Sequence, residues 1–194
     1  MKKVVITVLD VENTTCKRDG KQHFDPFEAE NELVMIGMLQ VDTIARPVKG
    51  VETVVTFTHS DEEPTVDGAA ITQTILDATT LLVCHNAVHD LTWIWECGFK
   101  YEGNIYDTML GEYILNKGVK SPLNLGFVSA QYQLEEQKLD TMSDYWKSGT
   151  STKDIPFDEL DEYLRYDLRS TLGVYRKQMA RFANEENSSM LSVL

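Results

Sequence analysis

The stretch VVITVLDVEN, residues 4–13, combines an unbroken apolar run with two acids near its end. Valine, isoleucine and leucine in such a run predict a buried β-strand. Because side chains along a strand alternate between its two faces, Asp10 and Glu12 should project from the same face, side by side. Two carboxylates held that close repel each other and gain nothing from burial. We therefore expect a positively charged group between them, with further ligands from other parts of the chain.

The composition indicates one globular domain. The chain has 194 residues, of which 42% are hydrophobic and 25% charged, and this suits a single domain with a sizeable core. No apolar run approaches the roughly 20 residues of a membrane span, and residues 1–3 lead directly into the first strand. We therefore expect neither a membrane protein nor a signal peptide. Three cysteines without C-x-x-C spacing favour a reduced, cytoplasmic location, the host cytoplasm if the protein is viral.

The formal net charge of −13 limits the kinds of partner that the protein can bind. Broad, unspecific adhesion to nucleic acid needs a basic surface, which this composition does not provide. A small site where metal ions and a few cations meet a phosphate is compatible with an acidic protein. Acidity therefore constrains the mechanism of binding and does not decide the substrate.

The order of predicted elements indicates an α/β domain. The first three predicted strands form a meander, and later strands alternate with helices, so we expect a central mixed β-sheet flanked by helices. A single domain should cover 1–184, with a flexible tail over 185–194. Asp67 is predicted to cap the first helix. The predicted elements are strands at about 4–12, 32–41, 51–57 and 80–84, and helices at about 68–77, 89–97, 107–116, 122–131 and 156–184.

A second group of polar residues, HNAVHD at 85–90, directly follows the fourth predicted strand. The point where a strand ends and a helix begins is where α/β sheets place functional groups. Asn86 and Asp90 are four residues apart and share one helical face if the helix begins early. Taken alone, the segment is also compatible with Asp90 as an ordinary N-cap and Asn86 as a turn residue.

The same six residues contain a pattern that partly matches a zinc site. His85 and His89 have the spacing of the two histidines in H-E-x-x-H metalloproteases, but Asn86 stands where that motif needs a glutamate base. His23 and His59 both lie upstream, so no compelling third ligand follows. The sequence therefore disfavours a zinc protease.

A third group lies in DEYLRYDLRSTLGVY, residues 161–175, within the long C-terminal helix. Tyr163 and Asp167 are four residues apart and share a face. Asp167 borders the apolar stripe, and an acid near the core boundary prefers a partner. Taken alone, the segment favours a solvated helix with i,i+4 pairs such as Asp161–Arg165 and Glu162–Tyr166. The stripe, which repeats with helical period, consists of Leu160, Leu164, Leu168, Thr171 and Leu172.

Together the three groups resemble, in order, the three motifs of the DEDD 3′–5′ exonucleases. The resemblance is closest to the tyrosine-bearing branch, which includes the proofreading domains of DNA polymerase I-type (family A) and bacteriophage DNA polymerases. It extends over most of the chain, because the segments between the motifs are also similar. These segments are YDTMLGEYIL at 106–115 and SPLNLGFVSAQY at 121–132. The region 144–175, which contains the third motif, is similar to the third-motif region of bacteriophage exonuclease domains.

Two positions depart from the pattern of that family. Asn13 follows Glu12 where polymerase I-type domains usually carry threonine, and His89 stands where an aromatic or apolar residue is usual. Neither departure removes a carboxylate. They bear on contacts with a DNA end more than on the reaction.

The resemblance implies an RNase H-like exonuclease fold with two divalent ions. Oxygen ligands select Mg²⁺ or Mn²⁺ over zinc, and Asp10 is implied to bridge the two ions. Tyr163 is implied to orient the attacking water. Histidine-bearing relatives place a base five residues before the last aspartate, where this chain has Glu162, so the tyrosine branch fits better. The implied metal ligands are Asp10, Glu12, Asp90 and Asp167.

The implied activity is a 3′–5′ exonuclease that releases nucleoside 5′-monophosphates from single-stranded or frayed DNA 3′ ends, as a proofreading enzyme does. The implied partners are the DNA 3′ end and a DNA polymerase or replication protein. Asn86, Asn13 and Lys147 are predicted to contact the substrate, although a solvated loop lysine is an equal reading of Lys147. An RNase D-like exoribonuclease and a non-catalytic polymerase- or nucleic-acid-binding module are the alternatives.

Aromatic residues and a further acid have weaker assignments. Trp93, Trp95 and Trp146 are candidates for stacking on bases. Residues two apart on a helix cannot be buried equally, so we expect core packing for at least one of Trp93 and Trp95. Asp107 is predicted to make a structural hydrogen bond or a helix cap.

Overall fold

A five-stranded mixed β-sheet forms the centre of the protein. The structure is a computed structural model, and it describes residues 4–42, 50–134 and 142–184. The strands are β1 (Val5–Asn13), β2 (Cys16–Arg18), β3 (Lys21–His23), β4 (Leu33–Asp42), β5 (Gly50–Thr56), β6 (Leu81–Cys84) and β7 (Asn104–Asp107). The order across the main sheet is β5-β4-β1-β6-β7, and β2 pairs with β3 in a separate hairpin.

Helices cover both faces of this sheet. One hydrophobic core lies between the sheet and the first two helices, and another lies between the sheet and the third and last helices. We call them the α1–α2 core and the α3–α6 core. The helices are α1 (Gly68–Ala78), α2 (Ala87–Glu96), α3 (Thr108–Leu115), α4 (Leu125–Gln131), α5 (Ser143–Ser148) and α6 (Phe157–Phe182), and a short 3₁₀ turn covers Thr152–Asp154.

The central strand β1 presents one face to each core. It pairs antiparallel with β4 on one side and parallel with β6 on the other. Leu9 is buried in the α1–α2 core, whereas Val8 is buried in the α3–α6 core. Because strand side chains alternate, Asp10 and Glu12 continue the face of Val8 and point toward the α6 side of the sheet.

A glycine in β4 allows α6 to lie close to the sheet. Gly37 pairs with Asp10 across the β1–β4 ladder. A Cβ atom at Gly37 would lie 2.8 Å from Cγ of Leu164 and 3.0 Å from Cδ1 of Leu168, so any larger residue would displace the helix or distort these leucines. The absence of a side chain at Gly37 therefore sets the distance between α6 and the acids of β1.

The structure confirms the predicted α/β class and the central mixed sheet flanked by helices. The meander of the first three long strands is present as β1-β4-β5, with antiparallel pairing throughout. The predicted long C-terminal helix is α6, and the apolar stripe predicted for it is buried. The predicted flexible tail over 185–194 lies outside the described residues.

Several local details differ from the sequence prediction. The helix expected at 89–97 begins earlier, at Ala87, and the one expected at 122–131 begins only at Leu125. Asp67 stands at the N-cap position of α1, but it has a left-handed backbone with φ of 55° and its side chain makes no capping hydrogen bond. The sequence reading missed β2, β3, β7 and α5. These elements have three to six residues, too few for a periodic pattern.

None of the helices within the described ranges combines the length and apolarity that a membrane span requires. The three cysteines are free thiols, of which Cys16 and Cys84 are buried and Cys97 is exposed.

Candidate functional site

Four of the residues singled out by the sequence motifs line one cleft. Asp10 and Glu12 come from β1, and Tyr163 and Asp167 come from α6. The cleft has a volume of about 420 Å³, within the range of small-molecule sites. Its other walls come from the end of β6, the start of α3 and the segment before α4. The residues of these walls are His85, Asn86, Met109, Leu123, Asn124 and Leu125.

The end of β1 places its two acids on the cleft side. Glu12 pairs with Met35 of β4, and the register shifts between Glu12 and Asn13. Such a bulge ends the regular alternation of the strand and turns the next side chain in a new direction. Asp10 and Glu12 therefore share the cleft, whereas Asn13 is not among its lining residues.

Asp90 is buried near Asp10 and is not among the residues that line the cleft. It lies in the first turn of α2 and is only 2% exposed. Burial raises the pKa of its carboxyl well above the ordinary value, the negative charges of Asp10 and Asp107 raise it further, and a hydrogen bond from the backbone N–H of Val11 opposes both. Its Oδ2 atom has no hydrogen-bond partner among the described residues. A buried, unsatisfied carboxylate oxygen beside other acids is costly in free energy unless a cation neutralises it.

Tyr163 and Asp167 face the acids of β1 from one turn of α6. The Tyr163 hydroxyl donates a hydrogen bond to the Asp167 carboxylate. Burial and then the charges of Asp167, Glu12 and Asp10 raise the pKa of Tyr163 far above its ordinary value. The side chain is 3% exposed, and the ring of Trp146 packs edge-on against it at 5.8 Å between centroids. The structure therefore presents a neutral, firmly held phenol to the cleft.

Asp107 fixes the backbone around the second motif. Its carboxylate accepts hydrogen bonds from the N–H groups of Asn86 at 3.0 Å, Ala87 at 3.1 Å, Met109 at 2.8 Å and Leu110 at 3.4 Å. The Asp107 side chain thus caps α3, which follows β7, and fixes the backbone at the start of α2, which follows the neighbouring strand β6. The prediction of a structural or capping role for Asp107 is confirmed.

Asn86 occupies the junction between β6 and α2. It is the N-cap residue of α2 and has a left-handed backbone, with φ of 73° and ψ of 57°. Its side chain is exposed and lines the cleft. Because α2 begins directly after it, Asn86 and Asp90 stand one turn apart at the start of the helix, as the sequence reading required.

His85 connects two walls of the cleft. Its Nδ1 atom lies 2.8 Å from Oγ1 of Thr108, and its Nε2 atom lies 2.8 Å from the carbonyl oxygen of Leu123. The ring thereby links the end of β6 to α3 and to the segment before α4. The sequence reading considered His85 only as a zinc ligand, since partners so distant along the chain leave no local signal.

Asn13 and Lys147, the other two predicted substrate contacts, lie outside the cleft lining. The Asn13 side chain is buried, and its Nδ2 donates to the carbonyl oxygens of Thr14 at 2.7 Å and Phe24 at 3.2 Å. Lys147 is exposed on α5, where its Nζ donates to Oγ of Ser143 at 3.3 Å. Contact of either residue with a substrate stays a prediction.

Of the three tryptophans, Trp93 is 2% exposed and belongs to the α1–α2 core, whereas Trp95 is 53% exposed. The expectation of core packing for at least one member of this pair is confirmed. Trp146 supports Tyr163 and is partly exposed.

The donor atoms at the cleft suit a hard divalent cation better than zinc. His85 and His89 form hydrogen bonds to different parts of the fold, and burial lowers the pKa of His89. In the part of the chain that the structure describes, no three histidine, cysteine, aspartate or glutamate side chains are grouped so that they could hold a metal ion. The acids nevertheless supply carboxylate oxygens, which Mg²⁺ and Mn²⁺ prefer, and the unsatisfied Oδ2 of Asp90 fits that chemistry.

A cleft that combines carboxylates, a neutral phenol and apolar side chains can bind a cation beside an anionic ester and position a water molecule next to both.

No family model matches the sequence of this chain, and no curated protein matches it either.

Proposed function

We propose that this protein is a metal-dependent 3′–5′ exonuclease with an RNase H-like fold, acting on single-stranded or frayed DNA 3′ ends. The observation that supports the proposal is the arrangement of the motif residues. Asp10 and Glu12 lie far from Tyr163 and Asp167 along the chain, yet all four line one cleft, with Asp90 buried near Asp10. A resemblance based on spacing alone does not require the side chains to meet in space.

Asp10, Glu12, Asp90 and Asp167 are the residues that would hold two divalent ions. The ions, when bound, lower the pKa of a coordinated water and neutralise charge on the scissile phosphate. Two features of the chain support this assignment. Asp90 has an unsatisfied buried oxygen, and the negative charge of Asp10 raises the pKa of Asp90. A cation among these side chains removes both unfavourable interactions.

Tyr163 orients the attacking water in this proposal. Its hydroxyl stays protonated because burial and neighbouring carboxylates raise its pKa, so it acts through hydrogen bonding and not as a base. The hydrogen bond to Asp167 fixes the direction of the hydroxyl. Glu162, which holds the position of the base in histidine-bearing relatives, is exposed, and this favours the tyrosine branch.

The opposite wall of the cleft suits the sugar and base of one terminal nucleotide. Met109, Leu123 and Leu125 provide apolar surface across from the acids. A cleft of about 420 Å³ matches a single terminal nucleotide, so in this proposal a base pair opens before the end enters. Unpairing costs free energy that mismatched and single-stranded ends do not pay. We therefore propose faster degradation of unpaired ends than of paired ends.

We also propose that a DNA polymerase or replication protein supplies part of the affinity for primer-templates. A protein of net charge −13 has little to hold a long duplex. Degradation of dilute primer-templates by the protein alone should fall steeply with salt, and less steeply when the partner is present. Equal rates on blunt duplex and single strand, with little dependence on salt, would contradict a proofreading role.

The direct test compares 5′-labelled single-stranded DNA and RNA of the same sequence, incubated with the protein in Mg²⁺, in Mn²⁺ or in a chelator. We expect stepwise shortening from the 3′ end with release of nucleoside 5′-monophosphates, and no degradation in the chelator. Glu162→Gln serves as a matched control beside the site and should be fully active. Faster degradation of RNA would favour the RNase D-like alternative. Binding of the strands by folded protein without degradation in either metal would favour the non-catalytic alternative.

A further inference from the structure

A second pocket of about 380 Å³ adjoins the cleft on the far side of Asn86. It lies between the β2–β3 hairpin, the loop that follows it and the start of α2. We call it the hairpin pocket. Asn86 lines both this pocket and the cleft, so the two are neighbours. The hairpin pocket is lined by His23, Phe24, Pro26, Asn86, Val88 and His89, together with three further polar residues of the same segments.

We propose that the hairpin pocket binds a nucleobase on the 5′ side of the terminal nucleotide, with Phe24 as the surface on which that base stacks. The identity of the ligand rests on the proposed function, because a strand whose 3′ end lies in the cleft must leave it past one of the walls. Asn86 is one of these walls, and the hairpin pocket lies directly behind it. Stacking on an aromatic side chain is the common way of holding single strands without sequence preference.

Phe24 is held in place although its ring is 50% exposed. Its carbonyl oxygen accepts hydrogen bonds from Nε1 of Trp93 at 3.0 Å and from Nδ2 of Asn13 at 3.2 Å. Both donors belong to buried residues. An exposed ring on a fixed backbone loses little conformational entropy on binding, which is the property of a preformed stacking surface.

The two departures from the exonuclease pattern, Asn13 and His89, contact each other next to the hairpin pocket. Asn13 uses its Nδ2 to donate to carbonyl oxygens, so its Oδ1 is the acceptor for Nε2 of His89 at 2.9 Å. This hydrogen bond joins the first motif to the second. Asn13 supports the backbone of Phe24, and His89 lines the hairpin pocket. The departures are consistent with a shared role in building the hairpin pocket.

The charges near the pocket suit a strand whose phosphates face the hairpin and whose base faces the pocket. Lys17, Arg18 and Lys21 are exposed on the hairpin of an otherwise acidic protein, although Arg18 pairs with Glu28 at 2.5 Å. Asp25 lies in the pocket lining, and its Oδ1 accepts a hydrogen bond from the N–H of Phe27 at 3.1 Å. A carboxylate there repels phosphate and accepts hydrogen bonds from base amino groups.

The test pairs base removal in the ligand with ring removal in the protein. The ligands are single-stranded DNA oligomers of about 12 nucleotides, each with one abasic position near the 3′ end, and binding is measured by fluorescence anisotropy in Ca²⁺. We expect removal of one particular base to weaken binding of the parent protein about tenfold. Phe24→Ala should weaken binding of the intact oligomer about as much, and removal of that base should then have no further effect.

Two variants serve as controls. Phe27→Ala removes a ring that is 70% exposed in the same loop but lies outside the pocket lining, and it should bind every oligomer as the parent does. Phe24→Trp keeps an aromatic surface and should retain the parent's dependence on the base. Parent-like binding by Phe24→Ala, or an unchanged penalty for base removal in that variant, would overturn the proposal.

Cleavage of the intact oligomer by the parent protein in Mg²⁺ is measured in parallel, so that the two proposals fail separately. If the parent cleaves the oligomer but Phe24→Ala keeps the penalty for base removal, only the proposal that the hairpin pocket binds a base is overturned. The interaction without cleavage would overturn only the nuclease activity. Neither binding nor cleavage by folded protein would overturn both.

Discussion

Replacing Asp90 by asparagine should stabilise the metal-free protein and abolish its activity. The substitution keeps the shape of the side chain and removes its charge. Asp90 is 2% exposed, has one carboxylate oxygen without a partner among the described residues, and lies near the charge of Asp10. Asparagine removes the cost of burying that charge, and its carbonyl oxygen can still accept the hydrogen bond from Val11.

Asparagine leaves a neutral amide nitrogen where the unsatisfied Oδ2 stood, so the gain comes from removing the buried charge and its repulsion by Asp10. A buried group without a partner costs about 1–3 kcal/mol when neutral and more when charged, so we take a gain of about 1–3 kcal/mol. We expect Asp90→Asn to raise the free energy of unfolding by about that amount in a chelator. For a chain of this size, each 1 kcal/mol corresponds to roughly 2–4 °C in melting temperature. Turnover should fall about a thousandfold if the carboxylate supplies about 4 kcal/mol of transition-state stabilisation.

The stability difference between Asp90→Asn and the parent should depend on pH, because the Asp90 carboxyl can lose a proton and asparagine cannot. Burial and neighbouring charges raise the pKa of Asp90 in the folded protein, so the folded state takes up a proton at a pH where the unfolded state has lost it. The stability that this proton provides is present at low pH and is lost as pH rises through the raised pKa. The advantage of Asp90→Asn over the parent should therefore grow with pH.

The assay is urea unfolding followed by circular dichroism, in a chelator and in Mg²⁺, together with oligomer degradation. The parent should be stabilised by Mg²⁺ more than Asp90→Asn is. Asp107→Asn is the matched control, because that neighbouring carboxylate accepts four backbone hydrogen bonds and its loss should destabilise the protein. An Asp90→Asn variant less stable than the parent in the chelator would contradict a destabilising buried charge at Asp90. Full activity of the variant would contradict a role of Asp90 as a metal ligand.

Three other substitutions test separate parts of the structure. Tyr163→Phe keeps the ring packing and removes the hydroxyl that positions the water, so the turnover number should fall about 100-fold with the melting temperature nearly unchanged. Gly37→Ala places a methyl group 2.8 Å from a leucine of α6, and should cost about 1–3 kcal/mol of stability and also reduce turnover. Glu52→Gln removes a carboxylate whose pKa is lowered by hydrogen bonds from Arg169 and then Arg165; it should cost about 1 kcal/mol at neutral pH, and the difference should vanish as pH falls through the lowered pKa.

Each of these predictions has an outcome that contradicts it. Parent-like turnover in Tyr163→Phe, combined with a loss in Glu162→Gln, would mean that the wrong face of α6 was assigned. Gly37→Ala should cost less stability in a Leu164→Ala background than in the parent, because the nearest atoms of the clash are then absent. An equal cost in both backgrounds would refute the steric explanation. A stability difference for Glu52→Gln that grew on acidification would contradict the assigned sign.

Local sequence pattern was sufficient for the element types and for the side-chain direction in the long elements. The apolar run of β1 and the helical stripe of α6 are long enough to show their periods, so the facing of Asp10 and Glu12 and the burial of Leu164 follow directly. The central mixed sheet followed from the order of these elements. The short β2, β3 and β7 did not, because three or four residues carry no period and their pairing depends on their neighbours.

The roles of individual polar residues were decided by tertiary structure. Asn13 is predicted from the sequence to contact the substrate, but only the tertiary structure shows that its amide bonds to Thr14, Phe24 and His89. Asp90 was identified by its spacing, but its burial and its unsatisfied oxygen arise only when α2 packs against the end of β1. A sequence specifies which groups can donate or accept hydrogen bonds. The pairing of groups far apart along the chain is fixed only when packing of the apolar faces sets their distances and excludes water from between them.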